Sequence, residues 1–315
     1  MADLAAQTAA APGGGAPGGA APGGGGVGAE KASKSQGRLA LRRFLRHRLA
    51  MASLVLLLLL FAAALAGGVI APYGFEEITD ASSSPPSLDH PMGTDAIGHD
   101  LFSQVLRGAQ KSVQVAIIVT VASTVIGVVV GALAGYYRGL TDAVLSRFTD
   151  FTITIPLLAV LLIVANRVSA RQGNFVFIGL LIAAFIWPQV AVVVRATFLS
   201  LREKEFVEAA RAIGASDARI IFRHMLPNAV GPIIVSATLV VATAILIETS
   251  LAFLGFGVSP PDTSLGKLVS EGQRASNTRP WLFYFPGAVL LLICLCVNFV
   301  GDGLRDAFDP RQDKG

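Results

Sequence analysis

Charge is scarce in this chain, and so is cysteine. Only 15% of its 315 residues are Asp, Glu, Lys or Arg, against about 25% in a soluble domain, so lipid rather than water is the expected surroundings. The two cysteines, Cys294 and Cys296, stand two apart inside one apolar run. That spacing fits neither a Cys-x-x-Cys redox pair nor a zinc ligand pair, and both read as small core hydrophobes. A G-x-x-x-x-G-K-[ST] phosphate loop is missing, so the chain is not expected to bind or hydrolyse ATP itself. An H-E-x-x-H pair, a G-x-S-x-G elbow and a cluster of intramembrane acids are missing too, which leaves no catalytic residue to assign. The net charge of +4 comes without a nucleic-acid-binding motif, so no nucleic-acid partner is expected.

Long apolar runs are what the chain has instead. Candidate spans cover 49–70, 113–136, 151–168, 174–196, 229–250 and 281–300, each near the roughly 20 residues that cross a bilayer. Pro156 interrupts the third and Trp187-Pro188 the fourth, so both are expected to kink. Gly127, Gly131 and Gly135 recur on one helix face and let a neighbouring helix approach, as in ordinary bundle packing. Residues 1–30 are almost all Ala, Gly and Pro and read as a disordered tail. Ala64-Leu65-Ala66 resembles a signal-peptidase site. The apolar run outlasts an ordinary signal core, however, and a retained membrane anchor is the better reading. The expected fold is therefore all-α and polytopic, with six transmembrane helices. It divides into a tail (1–36), an N-terminal segment with the first span and an external loop (37–90), and a core transport unit (91–311).

Lys and Arg placement orients the bundle. With the N-terminus inside, segments 31–48, 137–150, 195–228 and 302–315 are cytoplasmic and hold eighteen of the 25 basic residues. Both termini are thus expected in the cytoplasm, and so is EFVEAARAIGASDARIIFRHMLPN (205–228), the most polar interruption of the greasy sequence. Phe206, Ala209, Ala210 and Ile213 recur at i, i+3, i+4 and i+7, one face of a short helix. Gly214 is placed to end that helix in the left-handed conformation. Ser216 can cap a second helix containing Ile220, Ile221 and Met225, and Pro227 marks the change of direction into the next span. An elbow of two short helices across the cytoplasmic mouth is expected, within a coupling loop at 203–228.

Glu208-Ala209-Ala210, then Gly214, then Leu226-Pro227 resembles the EAA loop of the membrane subunits of bacterial ABC importers. HPMGTDAIGHDLFSQVLRGAQKSV (90–113), LIETSLAFLGFGVSPPDTSLGKLVSEG (246–272) and FPGAVLLLICLCVNFVGDGLRDAFDP (285–310) are similar to the peptide and nickel permeases of that family. His99 takes an arginine's place, and His224-Met225 stands where an isoleucine is preferred. The likeness is nearest to the "C" permease of dipeptide and oligopeptide systems and runs from about residue 37 to 311. It implies a type I ABC importer permease fold and ATP-driven import of di- or oligopeptides by alternating access. Implied partners are a second, homologous permease, two cytoplasmic ATP-binding subunits or a fused pair, an external substrate-binding protein, and membrane lipid. The chain would need no cofactor of its own, ATP and Mg being held by the ATPase subunits, in the bacterial cytoplasmic membrane. Coupling to the ATPase is implied for Glu205, Phe206, Glu208, Ala209, Ala210, Ile213, Gly214, Leu226 and Pro227. Nickel, glutathione or another small solute is the alternative cargo within the same architecture.

A proton-coupled carrier would need a titratable group deep in a span, and only Glu248 is available. Intramembrane acids are functional candidates, so Glu248 is a candidate for the translocation path. The topology puts it near the external end of its span, in reach of water, where a structural hydrogen-bonding role is the other reading. His90, Asp95, His99 and Asp100 could hold a metal, but these residue types also make turns and helix starts. Thr94 or Asp95 can cap, and GHDLFSQVLRG reads as a short helix ending at Gly108; no metal is expected.

Overall fold

The structure, a computed structural model, describes residues 36–167 and 174–308. The expectations for the tail at 1–35, for 168–173 in the external connection and for the last seven residues lie outside the described residues. Among the described residues the regular structure is α-helical, with two isolated β-bridges, Ile78–His99 and Thr94–Asp100. The helices are α1 Gln36–Arg46, α2 Arg48–Leu65, α3 Gly67–Ile70, α4 Leu101–Tyr137, α5 Gly139–Thr154, α6 Leu157–Arg167, α7 Phe175–Ile186, α8 Pro188–Arg202 and α9 Glu205–Ala212. They continue as α10 Asp217–Phe253, α11 Leu265–Ala275 and α12 Trp281–Phe308.

Four of these helices, α2, α4, α10 and α12, are long and apolar enough to cross a membrane. Two bent pairs, α5 with α6 and α7 with α8, bring the number to six when each pair is counted as one span. Both bends fall at the expected prolines. Ile155 leaves the helical region (φ −71°, ψ 130°) before Pro156, and the axes of α5 and α6 differ by 82°. Proline lacks a donor and pushes its predecessor out of the α region. At about 16 Å, α6 is too short to cross alone, so this span recruits α5, whose residues 139–150 were expected in a loop. At Trp187-Pro188 the bend is 44°, milder because Trp187 keeps helical angles and Pro188 opens α8, where its missing N–H costs nothing.

The central helix is α4. Gly127, Gly131 and Gly135 line its contact with α8: a Cβ on Gly131 would lie 2.5 Å from the Ala191 carbonyl, and one on Gly135 2.6 Å from Phe198 Cβ. The backbones are therefore in direct contact, and Val194 and Phe198 are fully buried beside them. The start of α4 departs from expectation. The helix runs unbroken for 37 residues from Leu101, and its cap is Asp100, not Thr94 or Asp95. Gly108 does not end it. A Cβ there would lie 3.1 Å from the backbone of Ser264 and Leu265, so this glycine admits another segment of chain.

Candidate functional site

The short helix α9 is held at one end of the bundle by Tyr136, in the last turn of α4. The Tyr136 hydroxyl donates to Asp217 Oδ1 at 2.6 Å, at the start of α10. The Arg211 guanidinium of α9 lies 5.6 Å from the Tyr136 ring centre. Arg202, at the end of α8, donates to the Tyr136 carbonyl at 2.5 Å, and Arg138 is ion-paired with Glu203. One tyrosine thus gathers the ends of three long helices and the short one between them. Glu203, Arg211 and Asp217 lie in the coupling loop expected at 203–228, but Tyr136 was not singled out from the sequence, where only an aromatic residue at the end of a span could have drawn attention.

The loop bends where the glycine was expected to bend it. Gly214 has φ +78°, its N–H donates to the Arg211 carbonyl at 2.9 Å, and Ala215 N–H donates to the Ala210 carbonyl at 3.0 Å. This pair of bonds is a Schellman motif closing α9. The second arm differs from expectation. Ser216 occupies the cap position but makes no side-chain capping bond, and the arm is not a separate helix but the first turns of α10. A π-helical stretch, Ile220–Met225, with Ile220, Ile221 and Met225 buried, carries the chain past Pro227 without a break. The wider turn accommodates a proline that would otherwise disrupt the ladder, and just beyond it Asn228 Nδ2 donates to the His224 carbonyl at 2.6 Å.

The apolar stripe read from the sequence divides between two sides of α9. Val207 and Ala210 are turned into the bundle, whereas Phe206 and Ile213 are 40% and 85% exposed. Glu205, Glu208, Ala209 and Gly214 are exposed as well, Leu226 is half-buried and Pro227 exposed. Of the stripe Phe206, Ala209, Ala210 and Ile213, only Ala210 faces inward. The other three form an apolar strip aimed away from the chain, flanked by Glu205 and Glu208. Exposed apolar surface of this kind, rimmed by charge, is suited to a protein partner.

At the opposite end of the bundle, Glu248 is fully buried and out of reach of water. Ser264 Oγ donates to its Oε1 at 2.6 Å, and Ser112 Oγ lies 3.4 Å from Oε2. Ser112 Oγ also accepts Leu265 N–H at 3.1 Å, and Ser264 caps α11 through Lys267 N–H at 3.2 Å. One carboxylate therefore fastens α10 to α4 and α11. Beside it Asp262 accepts from Arg107 Nε at 2.9 Å and pairs with Lys111 Nζ at 2.8 Å. Burial pushes the Asp262 carboxyl up, but the hydrogen bonds from Lys111 and Arg107 outweigh it and leave the group below the ordinary carboxylate range.

The His and Asp residues between α3 and α4 form two separate pairs. His90 Nδ1 lies 3.0 Å from Asp100 Oδ1, and Asp100 Oδ2 accepts Ser103 N–H at 2.9 Å. His99 Nδ1 lies 2.8 Å from Asp95 Oδ2, while Asp95 Oδ1 accepts the N–H groups of Ile97, Gly98 and His99. Both carboxylates are engaged in shaping backbone. Among the described residues no three His, Cys, Asp or Glu side chains converge as a metal site. Trp281 Nε1 donates to the Thr94 carbonyl at 3.2 Å, tying this segment to α12.

A multi-pass helical bundle with a charged short helix between two spans is the architecture of an ABC importer permease. A chain of the MetNI methionine ABC transporter, solved in inward facing conformations, superposes with a TM-score of 0.55 at 19% identity, over 66% of this chain and 98% of that one. Residues 127–314 match the family described as binding-protein-dependent transport system inner membrane component, and residues 35–86 the N-terminal TM domain of oligopeptide transport permease C. The oligopeptide transport system permease proteins OppC of Mycobacterium bovis and Mycobacterium tuberculosis are each 45% identical over 279 residues, 88% of this chain and 96% of theirs. The chain belongs to the family of binding-protein-dependent transport inner membrane components. It is a multi-pass membrane permease subunit, and permeases of this class work with ATPase and binding-protein subunits.

Proposed function

We propose that this chain forms one half of the translocation path of an ATP-driven importer of di- and oligopeptides in a bacterial cytoplasmic membrane. Its mate is a second, homologous permease. Two ATP-binding subunits or a fused pair, holding ATP and Mg, dock from the cytoplasm, and an external binding protein delivers the cargo. Both termini and α9 face the cytoplasm, and residues 91–311 make up the core transport unit behind the N-terminal segment 37–90. The observation that carries this reading is the outward apolar strip of Phe206, Ala209 and Ile213 on a helix tethered through Tyr136 to α4, α8 and α10. A push on that strip reaches three spans at once.

Glu205 and Glu208 border the docking face, Ala209 permits close approach, Ala210 seats α9 on the bundle, and Gly214 sets the angle between its two arms. Leu226 and Pro227 lie where the first turns of α10 lead into the span that moves. ATP-driven closure of the docked subunits then favours one of two arrangements of the bundle through contacts that differ between them. Glu248 takes part in the path by holding α10, α11 and α4 together at the external end, not by touching cargo. Peptide as the cargo is supported by the oligopeptide permeases named among the relatives.

The test is reconstitution of the complete complex in vesicles, with uptake of a labelled oligopeptide and ATP hydrolysis measured together. Ala209→Arg is expected to abolish uptake while hydrolysis continues and the protein remains in the membrane. Normal uptake by that variant would contradict the docking role. Uptake of nickel or glutathione but not peptide by the unaltered complex would contradict the cargo.

A further inference from the structure

The N-terminal helix α1 carries a surface that coupling to an ATPase does not use. It is parted from α2 at His47, whose backbone leaves the helical region (φ −79°, ψ 95°) while its ring accepts Ala50 N–H at 3.1 Å. Ala50 on one side of this break and Phe44 on the other both approach Gly303 of α12. In one straight helix, residues six apart are separated by about 9 Å along the axis, so sharing a glycine follows from a bend at His47. His47 Nε2, 3.7 Å from Asp306 Oδ2, fastens the bend to the end of α12. Because the apolar run of α2 begins directly after it, α1 is kept at the level of the lipid headgroups.

Successive residues of a helix point about 100° apart, and α1 shows a different chemistry at each step. Ala40 and Phe44 are buried against a small cluster with Val300 and Ala307. One step round, Leu41 and Leu45 are 58% and 55% exposed, and Leu49 extends the strip at 52%. A further step round, Arg42 and Arg46 are exposed. Residues 36–48 contain Arg38, Arg42, Arg43, Arg46 and Arg48 and no acid. An apolar strip beside an arginine strip, where a span enters the bilayer, is complementary to an anionic lipid surface. The leucines enter the acyl boundary and the guanidinium groups bind phosphate oxygens.

We propose that α1 is an anionic-phospholipid anchor, which pins the end of α12 to the headgroups of the leaflet where that helix terminates. The side of the membrane follows from the orientation proposed above, whereas the lipid chemistry does not depend on it.

The experiment is hydrogen exchange of the full chain, assembled with its partner subunits, in nanodiscs of pure phosphatidylcholine and of phosphatidylcholine mixed with phosphatidylglycerol. Backbone protection across residues 39–46 is expected to rise several-fold with phosphatidylglycerol. Arg42→Gln with Arg46→Gln should remove that rise, and Arg42→Lys with Arg46→Lys should retain most of it. Leu41→Ser with Leu45→Ser should lower protection in both lipids, which monitors insertion separately from charge. Equal protection in the two lipids, or a rise that survives the glutamine substitutions, would overturn the proposal. So would protection that depends on the ATPase subunits and not on lipid, since the face would then belong to a protein contact.

Discussion

Replacing Gly214 by alanine isolates the backbone's share in shaping the elbow. Gly214 has φ +78°, and a Cβ built on it meets nothing within 4 Å, so alanine adds left-handed strain without a clash. That strain is about 1–2 kcal/mol, enough to lower the ratio of bent to unbent elbow roughly five- to thirtyfold. Asparagine tolerates the left-handed region better and falls between glycine and alanine. Proline is worst, because its φ is held near −65° and it lacks the N–H that donates to the Arg211 carbonyl. Uptake and ATP hydrolysis would be measured on the same reconstituted complex for each variant. The expected order of uptake per ATP is glycine, asparagine, alanine, proline, with unchanged amounts of protein in the membrane. Asparagine as damaging as alanine, or proline with normal uptake per ATP, would refute a role for the glycine's conformation.

Four further outcomes follow from the packing and the ion pairs. Gly131→Ala drives a Cβ toward the Ala191 carbonyl and is expected to cost about 1–3 kcal/mol, read as a lower thermal midpoint in detergent. Gly287→Ala, where a Cβ meets open space, should leave the midpoint unchanged or slightly raised. Glu248→Ala leaves the Ser264 and Ser112 hydroxyls without their acceptor, at about 1–3 kcal/mol each; Glu248→Gln keeps an acceptor and should lose clearly less in the same melt. Asp262→Asn should lower the thermal midpoint at neutral pH, because Lys111 and Arg107 lose their counter-charge. Since the folded state holds Asp262 below its ordinary range, its stabilisation is present above the unfolded value of about 3.9 and lost as pH falls through the lower folded value. The difference between the two proteins should therefore persist down to about pH 4 and close below it; a difference that closes between pH 7 and 5 would contradict the pairing.

Much of the fold was legible because membrane constraints are coarse. Apolar runs located the spans, and Pro156 and Trp187-Pro188 located the two bends because proline cannot complete a helical ladder. Gly214 was legible as a turn for the same kind of local reason. Gly108 was not, since a glycine that ends a helix and one that admits a neighbouring backbone look alike until the neighbour, here Ser264-Leu265, is known. Which side of α9 packs on the bundle was not legible, because a helix that packs on its own chain and also presents an apolar strip has two apolar faces. Periodicity finds both and cannot say that Val207 goes inward and Ile213 outward. Tyr136 and Asp217, 81 residues apart, meet only through the tertiary fold, as do Lys111 and Asp262.

The most direct test of the coupling role is a photo-crosslinking amino acid placed at Ala209 in the assembled complex, in membranes, with the same substitution at inward-facing Val207 as the control. A crosslink from position 209 to an ATPase subunit, and none from 207, is the expected result. Crosslinks from 209 to lipid or to the chain itself, with the ATPase present and active, would contradict the assignment of α9 as the docking helix.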